Sequence, residues 1–291
     1  MYLRHYGFRR MPFDNTPDPS LFFKSPRHSE ALAALLYAVR ARKGLAVLTG
    51  EVGAGKTTVA RVLLGGLEED ALTAVLTHTH LTSTQLLQAI GVAVGIDTRE
   101  LGRVALLQRL EARLRQAAAA GRDAVVVIDE AQNLGPRALE EVRLLLNLET
   151  EQDKLAQWIL LGQPELNERL DRAELRSFRQ RIAVRFHLGS LARTETFQYI
   201  EHRLRIAGPE ANVRFSRGAL KAIYRATAGT PRRINTVCDN ALLLGFVRGT
   251  HRITRAMIDE VVRDLDGHRS RAEQGGPATQ PALRLFGRGG A

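Results

Sequence analysis

The sequence predicts an α/β fold, in which helices cover both faces of a parallel sheet, followed by a small all-α domain. Short, continuously apolar runs alternate with helical patterns up to Ser190, and only helical patterns separated by Gly- or Pro-containing turns follow. The predicted strands are Leu45–Thr49, Ala74–Thr77, Ala124–Ile128, Trp158–Leu161 and, as a fifth candidate, Val184–Leu188. The predicted helices of the second part are Thr194–Ala207, Ser216–Ala228, Pro231–Arg248 and Thr254–Leu265.

The composition is typical of a soluble globular protein, with 44% hydrophobic and 25% charged residues among 291. Cys238 is the single cysteine of the sequence, which excludes an intramolecular disulfide and indicates a reducing compartment. The N-terminus lacks the apolar segment of a signal peptide, and no apolar run approaches the ~18–20 residues that a membrane span needs. We therefore expect a cytoplasmic protein without a membrane span, with peripheral attachment at the inner membrane left open.

The net charge of +11 is distributed unevenly along the chain. Residues 44–190 carry a net charge of −2, whereas residues 1–43 and 191–267 carry +5 each and residues 268–291 carry +3. Basic surfaces attract anionic partners such as nucleic acid or an acidic membrane surface. The alternative is that the arginines only maintain solubility, because the excess is spread out and not concentrated in one run.

The lead-in of the chain contains several prolines, which exclude a regular helix or a central strand there. A helix at Glu30–Arg42 follows, and Ser25 or Ser29 is expected to cap it. From His268 the sequence is polar, rich in Gly and Pro and without periodicity, which predicts a disordered tail. The predicted divisions are the lead-in and helix at 1–43, the α/β domain at 44–190, the helical lid domain at 191–267 and the tail at 268–291.

The stretch Gly50-Glu-Val-Gly-Ala-Gly-Lys-Thr57 fits the pattern G-x-x-x-x-G-K-[ST] and lies between a predicted strand and a helix. In this context the glycines let backbone N–H groups surround phosphate oxygens at the positive end of the helix. Lys56 would contact the terminal phosphates of ATP, and the Thr57 hydroxyl would ligate Mg²⁺. The alternative is a Gly-rich turn without a ligand. The predicted ATP-binding residues are Gly50, Glu51, Val52, Gly53, Ala54, Gly55, Lys56, Thr57, Thr58 and Asp129.

A carboxylate pair follows the predicted strand Ala124–Ile128. The end of a buried parallel strand lies at the sheet edge where nucleotides bind in open α/β folds. Asp129 is therefore expected to share the Mg²⁺ with Thr57, and Glu130 to activate the attacking water as the general base.

Gln163 follows the fourth predicted strand, a position that would place its amide beside the phosphates as a sensor of the terminal phosphate. The alternative is a turn that begins a helix, with Pro164 as the first helical residue.

Arg232 lies at the start of a predicted helix in Gly229-Thr-Pro-Arg232. A cation is unfavourable at the positive end of a helix, so an arginine there is easier to explain if it faces a phosphate. The alternative is a solvent-facing basic helix start.

Four arginines lie at or near the fifth predicted strand, where a neighbouring subunit would meet this one in a ring or filament. We expect one of them to act in trans as an arginine finger, with Arg181 first and Arg179 second; the alternative is an arginine-rich surface. A trans finger requires a homo-oligomer that assembles with ATP. The arginines are Arg176, Arg179, Arg181 and Arg185.

Several motifs together resemble the ExeA/GspA-type ATPases, the general secretion pathway protein A group that includes MshM-like proteins. The resemblance covers residues 1–266. Its motifs are Tyr2-Leu-x-His5-Tyr-Gly7-Phe8, Pro12-Phe13, Thr16-Pro-Asp-Pro19, His28-x-Glu30-Ala31-Leu32, Leu48-Thr-Gly-Glu-Val-Gly53, Ile128-Asp-Glu-Ala-Gln-Asn133, Asn147-Leu-Glu-Thr150, Leu161-Gly-Gln-Pro-Glu-Leu166 and Arg179-Gln-Arg-Ile182.

The resemblance implies an AAA+ ATPase with a helical lid, in which Arg232 matches the sensor-2 arginine. It also implies work on envelope machinery such as secretins, pili or polysaccharide export, through a protein partner. The alternative is a DNA-binding regulator like the related TniB/TnsC transposition ATPases, which the basic lid and tail favour. A third hypothesis is a nucleotide-dependent switch that turns over too slowly to act as a motor.

The sequence departs from the family pattern in two places. The family prototype continues into a transmembrane helix and a peptidoglycan-binding domain, whereas this sequence ends in a polar tail, so we expect no contact with peptidoglycan. Many members have an Asn after the second strand, a polar group that often couples partner binding to the catalytic glutamate, whereas this sequence has His78 there. His78 and His80 lack a neighbouring Cys or carboxylate and do not predict a metal site.

Overall fold

The computed structural model describes residues 2–67, 71–151 and 153–273. A sheet of five parallel strands lies at the centre of the first part, in the order β2-β3-β4-β1-β5. The predicted parallel α/β fold is thereby confirmed. The strands are β1 (Leu45–Gly50), β2 (Leu72–Leu76), β3 (Ala124–Ile128), β4 (Gln157–Gly162) and β5 (Val184–Leu188).

Helices cover the sheet and form most of the second part. The α-helices are α1 (Tyr2–Tyr6), α2 (Pro26–Arg40), α3 (Lys56–Gly65), α4 (Ser83–Ala93), α5 (Arg103–Ala119), α6 (Pro136–Leu145), α7 (Pro164–Leu170), α8 (Arg176–Arg179), α9 (Arg193–Ala207), α10 (Arg217–Thr227), α11 (Pro231–Val247) and α12 (Arg255–Glu273). Short 3-10 helices lie at Pro19–Leu21, Ala131–Asn133 and Ala173–Leu175.

Alternation along the central strands builds a core on each face of the sheet. In β1, Leu45 and Val47 contribute to the core beneath α4, α5 and α6, whereas Ala46 and Leu48 contribute to the core beneath α2 and α3. The edge strand β2 is buried only at every second residue. Central strands covered on both faces therefore appear as continuous apolar runs, and the edge strand does not.

A third core joins the lid to the beginning of the chain. Helices α9 to α12 bury Ile200, Ile223, Leu242 and Ile258, and the aromatic rings of the first residues pack among them. Those rings belong to Tyr2, Tyr6, Phe8 and Phe13. The chain therefore starts in the lid core, crosses to the sheet near Phe22 and only then enters α2.

The lead-in differs from its prediction in two ways. The expectation that it contains no regular helix is wrong at its start, because the prolines begin at Pro12 and leave Tyr2–Tyr6 free to form α1. Helix α2 begins at Pro26 and not at Glu30, because proline is well tolerated in the first helical turn. Of the two predicted caps, Ser25 is the one that accepts the backbone N–H of His28.

The lid is helical but not purely so. Two short strands, β6 (Arg214–Phe215) and β7 (Arg252–Ile253), pair in parallel beside α10 and α12. Their two residues each are too few to produce a periodic signal in the sequence, so the all-α prediction is corrected here. Helix α12 continues to Glu273, beyond its predicted end at Leu265. The rest of the predicted disordered tail, residues 274–291, lies outside the described residues.

Within the three described ranges, no helix combines the length and the apolar character that crossing a bilayer requires.

Candidate nucleotide site

The loop between β1 and α3 has the backbone conformation that its glycines allow. Gly53 and Gly55 have φ angles of 79° and 104°, which L-residues with a side chain rarely adopt. A Cβ atom on Gly53 would also lie 2.4 Å from Cβ of Arg232 in the lid. The motif at Gly50–Thr57 is therefore a tight turn that leads from β1 into α3.

Lys56 lies at the first turn of α3 and is 6% exposed. Its ammonium donates hydrogen bonds to the carbonyl oxygens of Gly50 at 2.7 Å and Glu51 at 3.1 Å. Burial lowers the pKa of Lys56, and the carboxylates of Glu130 and Asp129 oppose that shift. A buried cation at the first turn of α3, beside a loop built around two glycines, fits the recognition of an anionic phosphate.

Thr57 on the first turn of α3 contacts Asp129, the residue that follows β3. The Thr57 hydroxyl donates to Oδ2 of Asp129 at 2.6 Å, and Oδ1 accepts the backbone N–H of Glu130 at 2.9 Å. Hydroxyl and carboxylate oxygens are the hard ligands that Mg²⁺ prefers, and Mg²⁺ usually combines one or two such groups with water and phosphate. The two predicted ligands therefore fit Mg²⁺. Among the described residues no cluster of three or more His, Cys, Asp or Glu could hold a metal ion.

Glu130 follows Asp129 in the left-handed conformation, with φ of 52°. Its Oε2 atom accepts the side-chain amides of Gln132 at 2.5 Å and Gln163 at 3.2 Å. Its carbonyl oxygen accepts the hydroxyl of the buried Thr79 at 2.9 Å. The structure thus brings the expected base together with the expected sensor, and it adds Gln132, for which the sequence analysis predicts no role.

The lead-in and the lid form the opposite wall of the same pocket. Residues Asp14–Asp18, Phe22 and Phe23 line it from the lead-in, and Tyr199 and Arg232 line it from the lid. The backbone N–H of Arg232 donates to the carbonyl oxygen of Gly53 at 3.2 Å, so the start of α11 contacts the phosphate loop directly.

His28 supports the phosphate loop from α2. Its Nε2 lies 3.0 Å from the carbonyl oxygen of Ala54, and its Nδ1 lies 2.8 Å from Oγ of Ser25. A carbonyl oxygen only accepts, so Nε2 carries the proton and Nδ1 accepts from Ser25. Burial lowers the pKa of His28, so the neutral ring is favoured in the fold.

Arg203 connects the two parts of the opposite wall. The residue is 6% exposed, and its guanidinium donates to the carbonyl oxygens of Pro12 at 2.5 Å and Asp14 at 2.7 Å. Asn235 adds a bond from its amide to Oδ1 of Asn15 at 3.2 Å and accepts the Tyr199 hydroxyl at 2.8 Å.

The four arginines considered for a trans role lie outside this pocket. Arg185 is on β5 and pairs with Asp171 at 2.9 Å, and Arg179 lies 3.8 Å from the same carboxylate. Arg181 is exposed and makes no side-chain hydrogen bond or ion pair with any described residue. His78 and His80 are exposed on either side of the buried Thr79.

Gln132, Thr79, His28 and Arg203 are functional candidates that the motifs alone do not indicate. Gln132 and His28 lie within stretches that carry the family resemblance, which is the one signal that points to them. Thr79 and Arg203 are indicated as functional candidates only by their contacts with residues far apart from them in the sequence.

A phosphate loop after β1, a carboxylate pair after β3 and a C-terminal helical lid define a protein of the AAA+ class. The family described as "AAA domain" matches residues 39–170. ORC2 of Aeropyrum pernix, in its ADPNP-ADP complexes, has a TM-score of 0.70 at 19% identity, covering 88% of this chain and 72% of that one. The Thermotoga maritima RuvB Holliday junction branch migration motor has a TM-score of 0.55 at 16% identity, covering 91% and 83%. These two likenesses concern the fold alone.

General secretion pathway protein A of Aeromonas hydrophila is 40% identical over 270 residues, which make up 92% of this chain and 49% of the relative. The chain therefore spans about half the length of that curated relative. It belongs to the AAA+ ATPase family of the general secretion pathway protein A type, and its fold is one that binds nucleotides.

Proposed function

We propose that the protein hydrolyses ATP with Mg²⁺ and couples hydrolysis to the assembly or remodelling of a macromolecular partner in the cell envelope. The observation that supports hydrolysis most directly is the convergence of Lys56, Thr57, Asp129 and Glu130 at one end of the pocket. A binding loop alone would need only the first two. The carboxylate of Glu130, set beside Asp129, provides the base that a hydrolase requires.

In this proposal the loop N–H groups and Lys56 bind the β- and γ-phosphates. Thr57 and Asp129 would hold Mg²⁺, which would supply positive charge against the charge that develops on the phosphate oxygens. Glu130 accepts a proton from the water whose oxygen attacks the γ-phosphorus, and the bond to the bridging oxygen breaks to release ADP and phosphate. Gln163 and Arg232 contact the phosphate region from the sheet and from the lid.

The envelope role is supported by the 40% identity to a protein named for the general secretion pathway. The basic lid would also suit the DNA-binding alternative, since residues 211–238 contain six Lys or Arg and no Asp or Glu. The named relative favours a role in envelope assembly over a DNA-binding role in transposition. A site on the cytoplasmic side of the membrane follows from this proposal.

Two substitutions test the proposed hydrolysis. Lys56→Ala should abolish ATP binding in a fluorescence titration, because it removes the cation of the phosphate loop. Glu130→Gln should retain binding and lower the turnover number by about 10²–10⁴-fold, the usual contribution of a general base. Glu168→Gln, which removes an exposed carboxylate on α7, is the matched control. Wild-type turnover in Glu130→Gln would disprove the assignment of the base.

We further propose that Arg181 completes the site of a neighbouring subunit. Arg181→Ala should lower turnover by about 10³-fold or more, as loss of an arginine finger does. Mixing Arg181→Ala with Lys56→Ala subunits should restore part of the activity, because each supplies the group that the other lacks. The trans role is contradicted if the mixture shows no recovery of activity. It is also contradicted if the protein stays monomeric with a slowly hydrolysed ATP analogue. Arg179→Ala is the comparison variant.

A further inference from the structure

Gln132 bridges the expected base and the expected sensor with both ends of its side-chain amide. Its Nε2 donates to Oε2 of Glu130 at 2.5 Å, and its Oε1 accepts the backbone N–H of Gln163 at 3.1 Å. The side-chain amide of Gln163 donates to the same Oε2 atom at 3.2 Å. One carboxylate oxygen thus receives two amide donors, and one of them, Gln132, is held by the backbone of Gln163, which immediately precedes α7.

The bridge is held in place by its surroundings. Arg169 on α7 donates from Nη1 to the carbonyl oxygen of Gln132 at 3.0 Å. Gly162 leaves space for Leu166 and for the Gln132 amide, because a Cβ atom there would lie 2.5 Å from Cδ2 of Leu166 and 3.2 Å from Oε1 of Gln132. Gln132 itself lies in the 3-10 helix Ala131–Asn133, directly after the carboxylate pair. Both ends of the bridge are therefore attached to the sheet edge.

The two hydrogen bonds from the glutamine amides make the carboxylate oxygens of Glu130 unequal in their number of donors. Oε2 has two donors, whereas Oε1 makes no hydrogen bond to any residue in the described part of the chain. An oxygen with free lone pairs is the one that can accept a proton from water. The hydroxyl of Thr79 donates to the main-chain carbonyl of Glu130 and not to its carboxylate, and His78 is exposed.

We infer that Gln132 is a positioning residue for hydrolysis: it occupies Oε2 of Glu130 and so directs Oε1 toward the attacking water. This inference rests on the proposed ATPase function. Gln132 also binds the backbone of Gln163. A movement of the start of α7 therefore changes the orientation of the Glu130 carboxylate. The bridge thereby couples the sensor position to the position of the general base.

Steady-state ATPase kinetics of Gln132→Ala test the inference. We expect the turnover number to fall about 10- to 100-fold, part of what a positioned base contributes, with KM and nucleotide affinity unchanged within about two-fold. Gln132→Glu, which keeps the size of the side chain but faces Glu130 with an oxygen, should lose at least as much and serves if the alanine variant does not fold. Asn133→Ala changes the neighbouring, partly exposed residue of the same 3-10 helix and should turn over like the wild type.

A double-mutant cycle with Gln163→Ala separates positioning from a general structural role. Since both amides act on one oxygen, the combined loss should be smaller than the product of the two single losses. The inference is overturned if Gln132→Ala turns over within two-fold of the wild type, if only KM changes, or if the two losses multiply. A wild type that hydrolyses ATP while Gln132→Ala is unaffected disproves the inference alone; a wild type without turnover disproves the proposed function together with it.

Discussion

The two walls of the pocket are built in different ways. The phosphate wall consists of residues that follow directly after β1 and β3, and the polar contacts within it join side chains of a few short segments. The opposite wall joins the lead-in to the lid, and its central bond, from Arg203 to Pro12, connects residues 191 positions apart. The first wall therefore depends on local sequence and strand order, and the second depends on the whole fold.

This difference has a mechanical consequence. The first residues pack in the lid core, whereas Phe22 and α2 pack on the sheet, so residues 14–23 cross the pocket between two cores. The lid and the sheet domain also contact each other at a second point, where Arg232 packs against Gly53. A displacement of the lid would act on the phosphate loop through α11 and on the far side of the pocket through the lead-in.

Among the substitutions that separate the opposite wall from the phosphate wall, Arg203→Met should change the free energy of unfolding most. The methionine keeps an apolar stem of similar length but removes the donors to the carbonyl oxygens of Pro12 and Asp14. Buried carbonyls without partners cost about 1–3 kcal/mol each, so we expect the free energy of unfolding to fall by about 2–4 kcal/mol in urea titrations.

Arg205→Met is the matched control, because Arg205 is exposed on the same helix. It should change the free energy of unfolding by less than about 0.5 kcal/mol. Nucleotide affinity should also weaken in Arg203→Met, since Asp14 lines the pocket. If Arg203→Met unfolds at the same urea concentration as the control, the lead-in is held by its aromatic residues and not by this guanidinium.

The sequence predicts the phosphate wall well because strand ends fix its geometry. The strands Ala124–Ile128 and Val184–Leu188 occur with their predicted limits, and the order of parallel strands brings Thr57 within 2.6 Å of Asp129. Motif spacing contains this information, since a residue that follows a central parallel strand must lie at the carboxyl edge of the sheet.

The opposite wall and the lid details were not predictable from the same signals. The bonds of Arg203 and Asn235 join backbone and side-chain atoms across the chain, without a sequence spacing that marks them. The pair β6–β7 is too short for periodicity, and α1 forms because Tyr2 and Tyr6, one helical turn apart, bury their rings in the lid core. Tertiary packing decides each of these features.

The smallest predicted effect concerns His28, which connects α2 to the phosphate loop. Burial lowers the pKa of His28 in the fold, while its bond to Ala54 and the charge of Glu195 oppose the shift. A base whose folded pKa is depressed binds more protons when unfolded, so its contribution to stability is complete above the ordinary pKa of about 6.5 and is lost as the pH falls below it. Burial also lowers the pKa of His202, which adds to the same trend.

We therefore expect the free energy of unfolding of the wild type to decline as the pH falls below about 6.5, by at most about 1.4 kcal/mol per pH unit for each proton involved. His28→Gln keeps an amide donor for the carbonyl of Ala54 but does not titrate, so its decline should be shallower, and His202→Gln should remove the contribution of the second ring. Urea titrations of the three proteins at several pH values measure these slopes. Equal slopes in the wild type and His28→Gln would mean that His28 accepts a proton in the fold as readily as it does in the unfolded chain. In that case the neutral ring assigned to the phosphate-loop wall would be wrong.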